Sequence, residues 1–340
     1  MRSVHVAGIG TVEVIDQDVP VPGPGEVRVK TLLAGICGSD THAVAGHHPL
    51  LRPPYFPGHE AVGVVDEAGP GVTGWARGDR VILQPNLSCG HCVNCLAGRT
   101  NACQTLQWIG CDSSGAHKGA MADYVIAPAA NLFAVPNEVS DEEAVLVECL
   151  ATPVHAGRVA GDLHGATALV IGAGTIGLFC VIVAHRAGAS RIVVSDLDPA
   201  KRERALRNGA NAAIDPAAVD VPAKVRELLG APVDVVFDCV ANDVSVAQAM
   251  GSVRHAGTVL IVGVPPRDFT VPMPYVQDWE LTLQGCANYT PVDINAAIDI
   301  AAHGGLPAQE IIAGCYGLEA APAAFEAAAQ NSSGKVVLKP

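Results

Sequence analysis

The pattern of apolar and polar positions changes character part-way along the chain. Up to about residue 145, apolar and polar residues alternate over short runs. Glu26-Val-Arg-Val-Lys-Thr-Leu-Leu33 alternates as a half-buried strand does. Glu60-Ala-Val-Gly-Val-Val-Asp-Glu67 repeats the pattern before the turn Ala68-Gly-Pro-Gly71. Gly78-Asp79-Arg80 leads into Val81-Ile82-Leu83, and Ala122-Asp-Tyr-Val-Ile126 reads as a further strand. Short strands at close intervals with Gly/Pro turns predict a β-rich, barrel-like domain.

Near Ser140 the pattern lengthens. Asp141-Glu142-Glu143 after Ser140 is an acidic, capped helix start, and the spacing predicts a helix running towards Ala160 with an interruption at Pro153. From Ala166 onward buried runs and amphipathic segments alternate. Strands are expected at Ala168–Ile171, Arg191–Ser195, Asp234–Asp238, Thr258–Val262 and Leu281–Gln284. Helices are expected at Ile176–Ala187, Pro199–Asn208 and Val244–Val253. Repeated β-α-β units predict a parallel, doubly wound sheet. Lys335-Val-Val-Leu-Lys339 reads as a last strand that returns to the first domain. The expected division is therefore 1–145 with 286–340 as one domain and 146–285 as an inserted second.

Composition narrows the class. At roughly 100–200 residues per domain, 340 residues fit two domains. The formal net charge of −13, without a Lys/Arg-rich run, argues against nucleic acid or an anionic membrane as partner. The N-terminus opens on an apolar alternation, not the long apolar segment of a signal peptide, and the most apolar stretch, Ala166–Ala184, is broken by Gly172, Gly174 and Gly177. A cytoplasmic location is the expectation. Eleven cysteines, an odd number, argue against a disulfide framework.

Candidate chemistry falls in three places. Gly172-Ala173-Gly174-Thr175-Ile176-Gly177 follows an expected strand and opens an expected helix. The first glycine allows the turn, the second lets the backbone approach a pyrophosphate, and the third lets helix and strand pack closely. Asp196, nineteen residues after Gly177, can accept from both ribose hydroxyls and would repel a 2′-phosphate, so NAD is favoured over NADP. Lys201 is placed to reach the 3′-hydroxyl. Leu260–Pro266, including Val262 and Val264, is expected to offer backbone groups to the nicotinamide amide.

Cys89, Cys92, Cys95 and Cys103 have the spacing C-x2-C-x2-C-x7-C, and four thiolates suit a closed tetrahedral structural zinc. An iron–sulfur cluster also uses four cysteines, but nothing else here points to one-electron chemistry. A third set, Cys37, His59, Glu60 and Glu148, has no linking spacing rule. From chemistry alone Cys37 reads more readily as a buried thiol, His59 as a loop histidine and Glu148 as a helix carboxylate than the set does as a metal site.

Taken together, GICGSD at 35–40, PGHE at 57–60, GDRV at 78–81, the four-cysteine stretch, GAGTIG at 172–177 and GKVVL at 334–338 resemble the zinc-containing medium-chain alcohol dehydrogenases over essentially the whole chain. The resemblance implies an α/β protein: a GroES-like β-rich catalytic domain plus a Rossmann NAD-binding domain. It implies two zinc ions per chain. One is structural; the other is catalytic, held by Cys37, His59 and an acidic or thiolate third ligand, with Glu60 as a movable fourth. Glu148 stands where the polyol, sorbitol and threonine dehydrogenase branch has glutamate. The adjacent Cys149 could be mistaken for the cysteine of the ethanol-type branch. ECLA at 148–151 resembles the EPLA of the polyol branch, with its proline missing.

The implied activity is hydride transfer from a secondary alcohol, polyol or sugar-like substrate to NAD, giving a ketone or aldehyde. Ser39 would take the hydroxyl proton and His42 would pass it to solvent. Asp40 either orients a ligand from behind or caps a helix. Tyr55 and Trp108 are the expected pocket wall. A homotetramer is the first expectation and a dimer the second. Three alternatives are a zinc-free reductase of the same superfamily, an NADPH-preferring zinc aldehyde or ketone reductase, and a non-catalytic NAD-binding protein.

Overall fold

The computed structural model describes residues 1–265, 267–304, 306–330 and 334–340. In chain order its strands are β1 (Arg2–Gly8), β2 (Thr11–Asp16), β3 (Glu26–Ile36), β4 (Glu60–Ala68), β5 (Arg80–Leu83), β6 (Asn86–Leu87), β7 (Gln107–Trp108), β8 (Tyr124–Pro128), β9 (Leu132–Ala134), β10 (Thr167–Ile171), β11 (Arg191–Ser195), β12 (Ala212–Ile214), β13 (Val233–Asp238), β14 (Val253–Ile261), β15 (Thr282–Gly285), β16 (Ile312–Gly317) and β17 (Lys335–Lys339). The chain divides into two compact units, Met1–Ala151 with Tyr289–Pro340, and Thr152–Asn288.

The first unit is built on a seven-stranded sheet of order β16-β17-β3-β4-β5-β9, with β8 also pairing β3. β3 shows why the alternation matters. Val27, Val29, Thr31 and Leu33 are buried, while Lys30 between them faces out. The valines pack with Val65, Val81, Val125 and Leu132 from the neighbouring strands. Further along, β3 joins a second core through Ala34 and Ile36, which pack with Val4, Val6, Tyr55, Phe325 and the β17 residues Val336 and Leu338. β17 pairs antiparallel with β3, Val336 opposite Ile36 and Val337 opposite Gly35. On the other side of β3, Gly35 pairs with Glu60.

The second unit is a six-stranded sheet, β12-β11-β10-β13-β14-β15, in which every pairing is parallel. Its strands are continuous apolar runs because both faces are covered. Four of the five residues of β10 are buried, and helix Thr175–Arg186 buries an unbroken stretch from Gly177 to Ala184. The architecture is the expected one, a GroES-like β-rich domain plus a Rossmann-type sheet. No helix among the described residues is long and apolar enough to cross a membrane.

Some elements differ from their sequence pattern. The acidic start at Ser140 gives only a short helix, Asp141–Ala144, opened by a capping box in which Ser140 and Glu143 exchange hydrogen bonds. The break falls at Val145–Leu146, and Pro153 sits inside the following helix, Val147–Ala160. An interior proline costs about 3 kcal/mol. Burial of Cys149, Leu150, Ala151, Val154 and Ala156 on that helix offsets it. β14 starts at Val253, five residues before the expected Thr258, and its pairing to β13 shifts register between Val233 and Val235. The expected strand at Ala122–Ile126 is displaced to β8, and Ala122 makes only an isolated bridge to Ser3.

Candidate functional site

One group of chemistry-bearing side chains gathers at the end of β3. Cys37 follows the strand and caps helix Gly38–Val44, its N–H donating to Asp40 Oδ2 at 3.1 Å. His59 precedes β4 and Glu60 begins it. Gly58, at φ 115°, presents His59. A Cβ there would lie 2.3 Å from Met121 N, so this loop backs directly onto the Ala120–Met121 chain and only glycine fits. The ligand atoms of Cys37, His59 and Glu60 lie within 4.8 Å of one another, with His59 and Glu60 buried. Glu60 Oε1 accepts from Lys335 Nζ at 2.6 Å, while Oε2 is buried with no partner. Burial pushes the Glu60 carboxyl up, and the Lys335 ammonium beside it outweighs that and holds it low.

A sulfur, an imidazole and an orphaned carboxylate oxygen fit a zinc ion. Glu148 lies apart from this grouping. It is buried in the first turn of helix Val147–Ala160, accepts a hydrogen bond from Tyr289 Oη, and is pushed up to about 7 by burial. A second grouping shares His59. Cys111 Sγ lies 3.3 Å from His59 Nδ1 and Asp40 Oδ2 lies 3.9 Å from it. Cys111 has no ligand-like spacing to other cysteines, so the sequence reading passed over it. Lys335, within GKVVL, and Tyr289, expected near the cleft, meet Glu60 and Glu148 only through the fold.

Asp40 accepts from Cys37 N at the start of its helix, and its Oδ2 lies 3.9 Å from His59 Nδ1. Tyr55 belongs to the packed core, its hydroxyl 3.4 Å from Asp40 Oδ1, and is not pocket wall. The Trp108 ring, half-buried, stands 5.7 Å from that of His59. Ser39 Oγ is buried without a partner, and His42, one helical turn on, is exposed.

The four cysteines of the lobe form a cage. Cys92 and Cys95 sulfurs are 3.5 Å apart, Cys89 and Cys95 3.9 Å, and Cys92 and Cys103 4.0 Å. Sulfurs at the corners of a tetrahedron around zinc, ~2.3 Å from the metal, stand about 3.8 Å apart. Backbone N–H groups point at them, Cys92 N to Cys89 Sγ and Cys89 N to Cys103 Sγ, each at 3.3 Å. With its donors from His91 and Cys92, Cys89 is pulled down to about 7. The cage fits a structural zinc.

In the second unit the glycine-rich turn joins β10 to helix Thr175–Arg186. Gly172 has φ 87°, and a Cβ on Gly177 would lie 1.7 Å from Gly172 O, so the third glycine is what lets the helix fold back on the turn. A Cβ on Gly174 would meet nothing within 4 Å, so its backbone faces open space at a helix N-terminus suited to an anion. Asp196, past the end of β11, accepts from Ala173 N at 2.6 Å and Asp198 N at 2.8 Å. Lys201 lies half-buried on helix Pro199–Arg207. Val262 is buried, and its N–H and that of Gly263 are spent on Asp238 O, whereas Val264 is exposed. Pro266 lies outside the described residues.

Comparison with known proteins agrees with this chemistry. Residues 23–137 match the family described as Alcohol dehydrogenase GroES-like domain, and residues 175–303 match Zinc-binding dehydrogenase. The sorbitol dehydrogenase of Bacillus subtilis strain 168 is 30% identical over 97% of this chain and 95% of its own length. This chain belongs to the zinc-containing medium-chain alcohol dehydrogenases. The dehydrogenase is also 35% identical to the L-threonine 3-dehydrogenase of Pyrococcus horikoshii, over 76% of this chain and 74% of the relative. A crystal structure from Sinorhizobium meliloti 1021, assigned as a zinc-binding dehydrogenase and bound to NADP, superposes with TM-score 0.92 at 33% identity, covering 100% of this chain and 99% of that one. The chain is thus an enzyme that transfers hydride from an alcohol.

Proposed function

We propose that the enzyme is a cytoplasmic homotetramer that oxidises a secondary alcohol, polyol or sugar-like substrate with NAD, using a catalytic zinc at Cys37, His59 and Glu148 and a structural zinc in the four-cysteine lobe. The observation that carries the reading is the buried grouping of Cys37, His59 and Glu60 with its one unpartnered carboxylate oxygen. A zinc ion there supplies Lewis acidity that lowers the pKa of a substrate hydroxyl, and a nicotinamide accepts the hydride.

The chain's own residues do the rest. Cys37 and His59 supply a soft and a borderline donor and set the cation's place. Asp40, behind His59, restrains the ring's orientation. Ser39 Oγ, buried and unpartnered, would accept a hydrogen bond from the substrate hydroxyl while passing its own proton to a nicotinamide ribose hydroxyl, and exposed His42 would hand that proton on to water. Trp108 beside His59 narrows the space in which a substrate carbon can lie. Glu148, which accepts from Tyr289, would supply the third ligand.

For the dinucleotide, Gly172, Gly174, Thr175, Ile176 and Gly177 cradle the pyrophosphate, and Val262 and Val264 flank the nicotinamide. The Asp196 carboxylate favours a ribose with both hydroxyls free, with Lys201 at the 3′ position. The neighbouring Arg202 is turned to main-chain oxygens of Asp196 and Leu197 and to Asp215. The NADP-bound relative keeps an NADP preference as the second reading. Initial rates on sorbitol, threonine and simple secondary alcohols, each with NAD and with NADP, test both. We expect faster turnover with NAD, abolished by a chelator. A higher kcat/KM with NADP would overturn the preference, and full activity in metal-free protein would overturn the zinc reading.

A further inference from the structure

We propose that Lys335 is a positioning residue of the metal centre, a latch that holds Glu60 back so that the substrate's place beside Cys37 and His59 stays open. The proposal rests on the zinc reading given above.

The sheet register makes the contact. β3 runs between β17 and β4, with Val336 opposite Ile36 and Glu60 opposite Gly35. Lys335, the first residue of β17, therefore arrives beside the point where β3 delivers Cys37. Its ammonium meets Glu60 Oε1 at 2.6 Å, with the side chains 5% and 1% exposed. Nothing in the packing asks for a charge here. The next three residues, Val336, Val337 and Leu338, are buried and apolar, and an apolar side chain of lysine's length would continue that surface. Desolvating an ammonium is costly, and a buried ion pair is a poor source of stability compared with apolar packing. A lysine in such a place points to what it does to its partner.

Its partner is held by one oxygen only. Glu60 Oε2 is buried without a hydrogen bond. The room for it comes from Gly35, where a Cβ would lie 2.2 Å from that oxygen. Gly35 is not among the glycines with positive φ, so space rather than backbone conformation requires a glycine at this position. The result is a carboxylate tied at one end and free at the other, with Cys37 and His59 donors within 4.8 Å. An anionic oxygen so near a cation competes with a neutral substrate hydroxyl for the same position. Lys335 weakens that competitor by occupying one oxygen and offsetting its charge.

The test compares Lys335→Met, Glu60→Gln and the double variant with the wild-type protein. Three readings are taken: zinc per chain, alcohol KM and kcat separately, and the visible spectrum of the cobalt(II)-substituted protein without turnover. In Lys335→Met we expect zinc to be retained, the alcohol KM to rise about tenfold, and the cobalt bands to shift as a carboxylate joins the metal. Adding Glu60→Gln should reverse the KM and the spectrum together. An unchanged KM and spectrum in Lys335→Met, or changes that survive Glu60→Gln, would leave the lysine a merely structural residue and sink the proposal. Should Lys335→Met fail to fold, Lys335→Gln, which can still donate a hydrogen bond without the charge, is read by the same two measures. Wild-type values there overturn the latch. A wild-type protein that holds no zinc beyond what Cys92→Ser removes would overturn the metal reading itself, and that count is read before any Lys335 variant is compared.

Discussion

A buried hydroxyl without a partner is uncommon, because leaving it so forfeits a hydrogen bond. Ser39 Oγ is such a group, one turn from exposed His42 and two residues from Cys37. If it accepts the substrate proton, Ser39→Ala should lower kcat about 100-fold and leave the dinucleotide Kd unchanged, as read by stopped-flow turnover and by fluorescence titration. An unaltered kcat would remove the serine from the proton path. How far these residues were legible differs one by one. Cys37, His59 and Glu60 were recognisable by family motif, but no spacing rule could group them, since residues 37, 59 and 60 meet only through strand pairing. Cys111 carried no signal, and nothing in the sequence paired Lys335 with Glu60 or Tyr289 with Glu148. Each matters through a contact with a residue 52 to 275 positions away.

Elements were legible where the apolar period is regular, and less so where a local rule competes with burial. The proline rule puts a break at Pro153, yet the helix continues because its apolar face is buried. The capping box at Ser140 starts the first segment, which ends at Ala144 with Val145 as its C-cap before the next helix begins at Val147. The end of the parallel sheet shows side chains fixing strand ends. Asp234 on β13 accepts from Thr167 N and Oγ1, both at 2.8 Å, and from Arg254 Nε on β14 at 2.6 Å. Burial raises its pKa, but the hydrogen bonds from Arg254 and Thr167 outweigh this and hold it below the ordinary carboxylate value. A depressed carboxylate stabilises the fold fully above the unfolded pKa of about 3.9, and that contribution fades as pH falls through the lower folded value. Asp234→Asn should therefore have a lower Tm than wild type at pH 7, with the gap closing below about pH 4. A gap that stays constant across that range in calorimetric scans would mean that the aspartate acts through shape alone.

At the scale of the whole molecule the two proposed metal centres are assembled in different ways, and this decides which could be read in advance. The cysteine cage lies within fifteen consecutive residues, so its spacing alone announces it. Its sulfurs, 3.5 to 4.0 Å apart, stand at tetrahedral separations. The other centre draws on β3, β4 and a returning C-terminal strand, so it exists only when the first unit has folded. A local cage can lose its ion without dissolving the distributed one. In Cys92→Ser one zinc-binding thiolate is replaced by a hydroxyl that stays protonated near pH 7 and is a poor zinc ligand. Zinc content should fall from two per chain to one. Tm should fall with it, because a structural zinc contributes folding free energy directly. The cobalt spectrum of the remaining site and the affinity for NAD should stay as in wild type, since Cys37, His59, Glu60 and the glycine-rich turn are untouched. Two zinc ions retained in Cys92→Ser would mean that the cage is not a zinc site. Loss of both would mean that the lobe's fold supports the β3–β4 end, and the two centres would then be one cooperative unit despite their separation in sequence.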